Sequence, residues 1–513
     1  MAIRHFVRLC VIARSLARHD ALFLLELHPA GATLAHIART VWRPEGSVKG
    51  LRQGQRLALA LAALGPTFIK FGQALSTRSD LLGEEAAADL SELQDRLPPF
   101  PFAEAKRTIE EDFEAPLESL FKSFDPVSVA AASIAQVHFA VDNAGREVAV
   151  KVLRPAVKAA FARDIEFLTW MADVAESRVA WLRRLKPIEV VRTFAETVRL
   201  EMDLRFEAAG AQELAENFAG DPGFRVPTVD WNLTSQRVLT LERMSGARVD
   251  DRAAVIAIGA DPVQVVKAAA EAFFKMVFRD GFFHADMHPG NLFIGADGVI
   301  IAVDFGIMGR VDPETRLALG EMLLGFLTRD YKRVAEVHIR AGYVPAHKSV
   351  ELFAQAARTI AEPILGKPVA EISIAKLLGQ LFQITEDFEM ETQPQLLLLQ
   401  KSMLLAEGVG RKLAPEVNMW ELARPLVENW MRERLGPQGK IADIVGDTIA
   451  TAQKLPRIIE RVDSITADLA RNGLKLHPDT TRTLRGEGRK RAPVMLWLPW
   501  LVAAALLAVV VLR

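Results

Sequence analysis

Residues 281–309, GFFHADMHPGNLFIGADGVIIAVDFGIMG, gather two carboxylates and a carboxamide, Asp286, Asn291 and Asp304, into one short stretch. Asp286 and Asn291 stand five positions apart. After them, Leu292-Phe293-Ile294 and Val299 to Val303 have strand character and are separated by Asp297-Gly298, a pair that predicts a hairpin turn. The hairpin would carry Asn291 and Asp304 back to each other across its base. Carboxylate and amide oxygens are hard donors suited to Mg²⁺, and an Asp beside them can orient or deprotonate an accepting oxygen, so this spacing points to phosphoryl transfer. Taken singly, Asp286 and Asn291 read as loop residues beside an ordinary turn. The combination in order is what carries the reading.

The triplet His284-Ala285-Asp286, then Asn291, then Asp304-Phe305-Gly306 resembles the catalytic loop and D-F-G of protein kinases. Ala285 replaces the usual Arg, and His288 stands where protein kinases carry a Lys that contacts the transferred phosphate. Upstream, from Phe124, the periodicity turns to strands, and V-A-V-K ends on Lys151 after a turn at Asn143-Ala144-Gly145. Lys151 is then the residue that contacts the α- and β-phosphates, although a lone Lys on an apolar strand also reads as a guard against edge pairing. Where a glycine-rich loop would cover the phosphates, the chain has Ala130, Ala131, Ala132, Ser133, Ile134, Ala135, Gln136, Val137 and His138. Alanine methyls penalise the φ > 0 conformations that glycine reaches freely, so a stiffer nucleotide-covering loop is expected, which counts against ordinary protein kinase activity. Arg237 to Met244 reads as the last small-lobe strand entering a hinge, with backbone at Glu242 and Met244 meeting adenine; a plain edge strand predicts the same sequence. Asp312-Pro313-Glu314 follows eight residues after Asp304, leaving no long activation segment on which a peptide could dock. A small or membrane-bound substrate is expected.

Length and composition set the frame for these motifs. At 513 residues the chain has room for two to four domains, and half of its residues are hydrophobic. Lys plus Arg (63) balances Asp plus Glu (64), so there is no global electrostatic footprint for nucleic acid, and none is expected as a partner. The single Cys10 excludes an internal disulfide and any multi-cysteine metal site, and suits a reducing compartment.

The remaining segments are helical in pattern. Arg4, Arg8, Arg14 and Arg18 precede the first acid, Asp20, on an apolar background that fits a basic amphipathic helix on an anionic membrane or a transit peptide. In Leu64 to Gln73, Pro66 suits a first helical turn, and Lys70 and Gln73 share a face. By helix logic alone they read as surface residues. Residues 200–207 read as one helix in which Asp203 and Glu207 are neighbours and Glu201 points elsewhere, offering acids for Lys151 and Lys70. The Leu-rich run from Leu396 to Leu405 reads as core with no chemistry. At the tail, a cluster of Arg482, Arg485, Arg489, Lys490 and Arg491 precedes Val494 to Leu512, nineteen residues without a charge. As a helix that run is about 28 Å long, enough for one membrane span, with the basic cluster cytoplasmic and Trp497 and Trp500 at the interface. A buried core helix, or a re-entrant hairpin bent at Pro499, is the alternative.

Together these motifs resemble the UbiB family of atypical kinase-like proteins, from about Leu64 to Met308. The resemblance rests on K-x-G-Q at Lys70 to Gln73, the alanine-rich Ala130 to His138, V-A-V-K at Lys151, E-x-D at Glu201 and Asp203, H-A-D-x-H-P-G-N at His284 to Asn291, and D-F-G at Asp304. It departs at Met287, where the family usually has Pro. The resemblance implies an α+β, bilobal protein-kinase-like fold with a helical N-terminal extension and a C-terminal transmembrane helix. Its segments would be a basic amphipathic start (1–50), the K-x-G-Q extension (51–118), the small lobe (119–245), a helical large lobe with the catalytic loop (246–480), a basic linker (481–492) and the anchor (493–513). In such a protein the K-x-G-Q extension folds over the peptide site and is engaged by Glu201 and Asp203, while Glu207 pairs with Lys151. Asp286 and Lys151 would be catalytic, Asn291 and Asp304 would hold Mg²⁺, and ATP or ADP would be bound. The activity implied is ATP hydrolysis in support of ubiquinone biosynthesis, coupled to an anionic or quinone-precursor lipid or to pathway proteins. The expected location is an inner membrane, crossed once with the kinase-like domain cytoplasmic; a bacterial membrane is favoured, and a mitochondrial one is the alternative. A true kinase acting on a protein or lipid-like substrate, and a non-catalytic nucleotide-sensing scaffold, are the alternatives.

Overall fold

The computed structural model describes residues 2–26, 29–76, 84–91, 98–178, 186–365, 384–385, 387–390 and 394–435. Its small lobe is an antiparallel sheet of β1 (Phe121–Phe124), β3 (Ala135–Asp142), β4 (Glu147–Leu153) and β6 (Val238–Glu242) in that order, with β2 (Ala130–Ala131) pairing further along the β3 edge that β1 uses. Strand alternation sorts its side chains onto two faces. Val148, Val150 and Val152 of β4 join Ala140 and Val238 in a core with Ala105 and Ile109, which lie on the helix Phe102–Phe113. Lys151, of the opposite parity, pairs in register with Val137 and Leu239 and stands on the other face.

The same alternation corrects part of the sequence reading. Gln136 and His138 sit opposite Val152 and Val150, so their side chains belong to the core face, not to a nucleotide cover. Both are almost fully buried. His138 Nδ1 donates to the Asp125 carbonyl at 2.9 Å, its Nε2 accepts from Gln136 Nε2 at 2.8 Å, and Gln136 Oε1 accepts from the Phe100 amide at 2.9 Å. Burial pushes the His138 imidazole below its usual pKa, and burial does the same to His338, whose ring packs 4.9 Å from Phe353. Histidines held neutral in the fold but free to protonate when unfolded make stability fall as pH drops below the ordinary His value of about 6.5. Each contributes at most about 1.4 kcal/mol per pH unit. Melting temperature is therefore expected to fall between pH 7.5 and 5.5, with a shallower slope in His338→Phe. An equal slope in both proteins would refute the assignment.

The expected single helix over residues 200–207 is broken in the structure. One helix, α4 (Pro187–Glu201), ends at Glu201, and α5 (Leu204–Asn217) begins after Asp203, whose carboxylate caps it by accepting from the Arg205 amide. A short acidic side chain competes for free backbone N–H groups, which makes Asp a helix starter and not an interior residue. Asp203 and Glu207 are therefore not neighbours on one helix face, and Glu201 is free to point toward the N-terminal extension.

Four helices matter in that extension: α1 (Ala2–Arg18), α2 (Gln53–Leu64), α3 (Pro66–Ser76) and a shorter one at Glu84–Ser91. Gly65, at φ +103°, turns the chain between α2 and α3, and Pro66 takes the first position of α3. Cys10 is half-buried on α1, and burial raises its thiol pKa.

The large lobe opens with a mixed sheet ordered β5 (Phe224–Arg225), β10 (Ile300–Ala302), β9 (Leu292–Ile294) and β7 (Ala247–Arg248). β9 and β10 form the expected hairpin, with Ala302 opposite Leu292 and Gly298 at φ +77° in the turn. β8 (Phe282–His284) pairs with β11 (Met308–Arg310), bracketing the catalytic-loop stretch. Helix starts at once afterwards: Asp312 caps Pro313–Thr328 by accepting from the Thr315 amide. Further helices run over Tyr331–Arg340, Val350–Ala361, α6 (Pro394–Leu413) and Met419–Leu435. Among the described residues no helix is long and apolar enough to cross a membrane. The basic cluster and the uncharged run at 494–512 lie outside the described residues.

Candidate active site

β4 delivers Lys151 to the mouth between the lobes, where α5 delivers Glu207. The Lys151 ammonium donates to both Glu207 oxygens, at 2.7 and 2.9 Å, and lies 3.4 Å from Asp304 Oδ2. Glu207 is 8% exposed, Lys151 17% and Asp304 44%. Burial by itself would lower the Lys151 pKa, but the carboxylates of Asp304 and Glu207 outweigh it and hold the ammonium firmly charged. For Glu207, burial dominates and Asp304 adds to it, so its pKa is raised despite Lys151. Burial would also raise Asp304; Lys151, the Gly306 amide, His284 and Lys70 instead bring its pKa to about 2. Asp304 is thus a fixed anion at neutral pH.

The hairpin couples this cluster to the catalytic loop. The Val303 amide donates to the Asn291 carbonyl at 3.0 Å, so the residue before Asp304 is tied to Asn291. Asn291 Nδ2 donates to the Asp286 backbone carbonyl at 3.1 Å and to Asp286 Oδ2 at 3.3 Å. His284 joins the two halves: its Nε2 donates to the Asp304 carbonyl, and its Nδ1 accepts from the Asp286 amide at 3.2 Å. Burial lowers the His284 pKa against the pull of Asp304 and Asp286, which matches this neutral tautomer. His288 turns back on its own loop. Its Nδ1 accepts from the Gly290 amide at 3.1 Å and caps the turn Pro289–Asn291.

The donor set suits Mg²⁺. Asn291 spends its amide nitrogen on Asp286 and keeps its oxygen as the ligating end, and Asp304 offers an ionised carboxylate, so these two hard oxygen donors would hold the ion. Among the described residues no cluster of three or more His, Cys, Asp or Glu side chains forms a metal cage.

The alanine-rich segment forms a tight turn, with the Ala132 amide donating to Ala135 O at 2.8 Å. Arg154 clamps it: the Arg154 amide donates to Ile134 O at 2.8 Å, and its guanidinium donates to Ala132 O at 2.9 Å and to Pro98 O at 2.8 Å. In the hinge, the Glu242 amide already donates to Thr228 O at 2.9 Å, and the Glu242 carboxylate binds Arg225 and Thr228. An adenine contact through the Glu242 amide is therefore ruled out by strand pairing on that side. Met244 lies beyond that pairing, half-buried, in the connection to β7.

Lys70, which helix logic left on the surface, meets Glu201 at 3.0 Å with only 13% and 10% of their side chains exposed. Phe71 packs edge-on against Phe194 at 5.2 Å beside them. Gln73 lies one turn further along α3, half-buried. Asp203 instead holds Arg205, at 2.7 and 2.8 Å. A second tie fixes the far part of α5, where Arg310 of β11 grips Glu213 through two bonds of 2.8 and 2.6 Å.

Sequence reasoning missed the charged contact made by Asp286. Lys401 Nζ, on the Leu-rich helix α6, donates to Asp286 Oδ1 at 2.8 Å. The available signal was a lone Lys inside an apolar run, set against the missing cation at position 288.

A five-stranded small lobe with a Lys–Glu pair, a hairpin-borne Asp–Asn couple and a D-F-G aspartate define a kinase-like protein of mixed helix and strand. The ABC1 atypical kinase-like domain matches residues 92–338, and the UbiB helical domain matches residues 357–418. Three bacterial relatives carry the name "probable protein kinase UbiB". The Marinobacter nauticus protein is 42% identical over 82% of this chain and 78% of its own. The Azotobacter vinelandii protein is 41% identical over 92% and 88%, and the Pseudomonas entomophila protein 42% over 90% and 86%. A Mycobacterium tuberculosis protein solved in complex with erythromycin is similar at 25% identity and a TM-score of 0.49, over 72% of this chain and 91% of that one. The chain belongs to the UbiB family of ABC1 atypical kinase-like proteins.

Proposed function

We propose that the chain is a membrane-anchored ATPase of kinase type that uses Mg-nucleotide in support of ubiquinone biosynthesis. The observation that carries the phosphoryl-transfer reading is the Lys151–Glu207–Asp304 cluster, joined through His284 to Asp286 and Asn291. Lys151, steadied by Glu207, positions the α- and β-phosphates of ATP or ADP, and Asp286 orients or deprotonates the accepting oxygen. Asn291 and Asp304 would hold Mg²⁺, which when bound neutralises charge on the phosphate oxygens. The turn Ala130–Ala135, braced by Arg154, covers the phosphates.

Asp304 is followed within eight residues by the helix cap Asp312, and the Lys70–Glu201 pair fastens the extension beside α4. Both features favour water or a small lipid-like acceptor over a docked peptide. The membrane reading is supported by the uncharged run 494–512 behind its basic cluster, and by α1, which exposes Phe6, Val7 and Val11 beside Arg4 and Arg14. The location proposed is a bacterial inner membrane with one span and the kinase-like domain cytoplasmic. Partners would be an anionic or quinone-precursor lipid and proteins of the quinone pathway.

The test is Mg²⁺-dependent phosphate release by the detergent-purified chain, with and without anionic liposomes. Release that rises with liposomes and falls at least about 100-fold in both Asp286→Asn and Asp304→Asn is the expected result. Release that survives either substitution would overturn it. The relatives' shared name favours a second reading, a true kinase, which label transfer from the γ-phosphate to a protein or lipid would establish.

A further inference from the structure

The catalytic loop lacks its own cation. Position 288 is His, and that ring is spent on the Gly290 amide, so nothing from the loop itself neutralises charge beside Asp286. An ammonium is nevertheless present there, and it comes from 115 residues further along the chain. Lys401 Nζ lies 2.8 Å from Asp286 Oδ1, while Asn291 holds the other oxygen, Oδ2, so the carboxylate is fixed from two sides. The placement of the helix is not casual. Ser402, the next residue, is fully buried, and its hydroxyl bonds Leu398 O at 3.0 Å and reaches His284 O at 3.4 Å, seating α6 against the strand that leads into the loop.

The pair has little structural work to do. The two side chains are 37% and 31% exposed, and half-open ion pairs add little to stability. Two flanking residues, Leu399 and Ser402, are buried, so the apolar part of α6 supplies the packing and Lys401 is the residue that leaves it.

We propose that Lys401 is the phosphate-contacting cation of this site, delivered by the helical domain in place of the loop lysine. The inference rests on the phosphoryl-transfer reading above. Asp286 must lie beside the oxygen that accepts the phosphoryl group, and an ammonium within hydrogen-bond reach of Asp286 is within reach of the γ-phosphate on the same acceptor side. A nucleoside diphosphate, which lacks that group, gains nothing from it. The completed site therefore joins the kinase-like domain and the helical domain, and turnover depends on how α6 is seated.

The experiment compares Mg·ADP with Mg·AMP-PNP, a non-hydrolysable triphosphate, on the full-length chain as wild type, Lys401→Met and Lys401→Arg. Lys401→Met is expected to weaken AMP-PNP about tenfold and leave ADP unchanged, as the loss of one charge-assisted bond dictates. Lys401→Arg should recover most of that difference. Turnover in Lys401→Met should fall about 100-fold in kcat, with thermal stability unchanged. Equal effects on both nucleotides, or on neither, would overturn the assignment of Lys401 while leaving the nucleotide site intact. A wild-type chain that binds neither nucleotide would instead overturn the phosphoryl-transfer reading, and Lys401's role with it.

Discussion

Lys151→Met is expected to cost both turnover and about 3–5 kcal/mol of stability, because it strips the counter-ion from a buried carboxylate. Glu207 is only 8% exposed, and its pKa is raised by burial and by Asp304 even with the ammonium 2.7 Å away. Without Lys151 the fold holds two carboxylates that repel each other. The sign of the pH dependence follows. A carboxyl whose folded pKa lies above its unfolded value contributes stability at low pH that is lost as pH rises, so the variant should approach wild type in mild acid and diverge from it above the ordinary carboxylate range. Adding Glu207→Gln should restore much of the stability and none of the turnover, since the phosphate-positioning charge is still missing. Denaturant unfolding of the two single variants and the double variant, at pH 5 and pH 8, checks both halves. A stable Lys151→Met, or a double variant no better than the single, would show that the three groups are not coupled.

The second large effect is expected at Gly246, in the connection between β6 and β7. A methyl there would collide with the Ile294 carbonyl oxygen and lie 2.9 Å from its carbon and 3.4 Å from the Gly295 amide nitrogen. These are backbone atoms of the hairpin that carries Asn291 and Asp304, so no side chain can turn aside. β7 pairs with β9 through Ala247 and Ile294, which fixes the approach. Gly246→Ala should cost about 1–3 kcal/mol through overpacking, and should lower turnover beyond that by shifting the hairpin. Gly298→Ala is the control. It lies in the same hairpin at φ +77° with open space around it, so it should cost about 1 kcal/mol of backbone strain and leave turnover intact. Equal behaviour of the two variants would refute the steric argument.

The sequence by itself determined the parts whose physics is local. Asp286, Asn291 and Asp304 were legible because a short hairpin with Asp297-Gly298 at its turn brings its two ends together, and strand alternation in β4 set Lys151 on the face opposite Val148, Val150 and Val152. The helix start at Pro66 was legible for the same reason: a fixed φ acts within a few residues. Tertiary structure decided what depends on contacts between distant segments. Gln136 and His138 look like part of a phosphate-covering loop until the β3–β4 register assigns them to the core. Asp203 looks like a helix-face acid until it is seen capping α5, and only then does Glu201 find Lys70. Lys401 lies outside every local pattern. Helical periodicity states which face a residue occupies, but not what that face meets, and the meeting of α6 with Asp286 is set by packing between segments 115 residues apart.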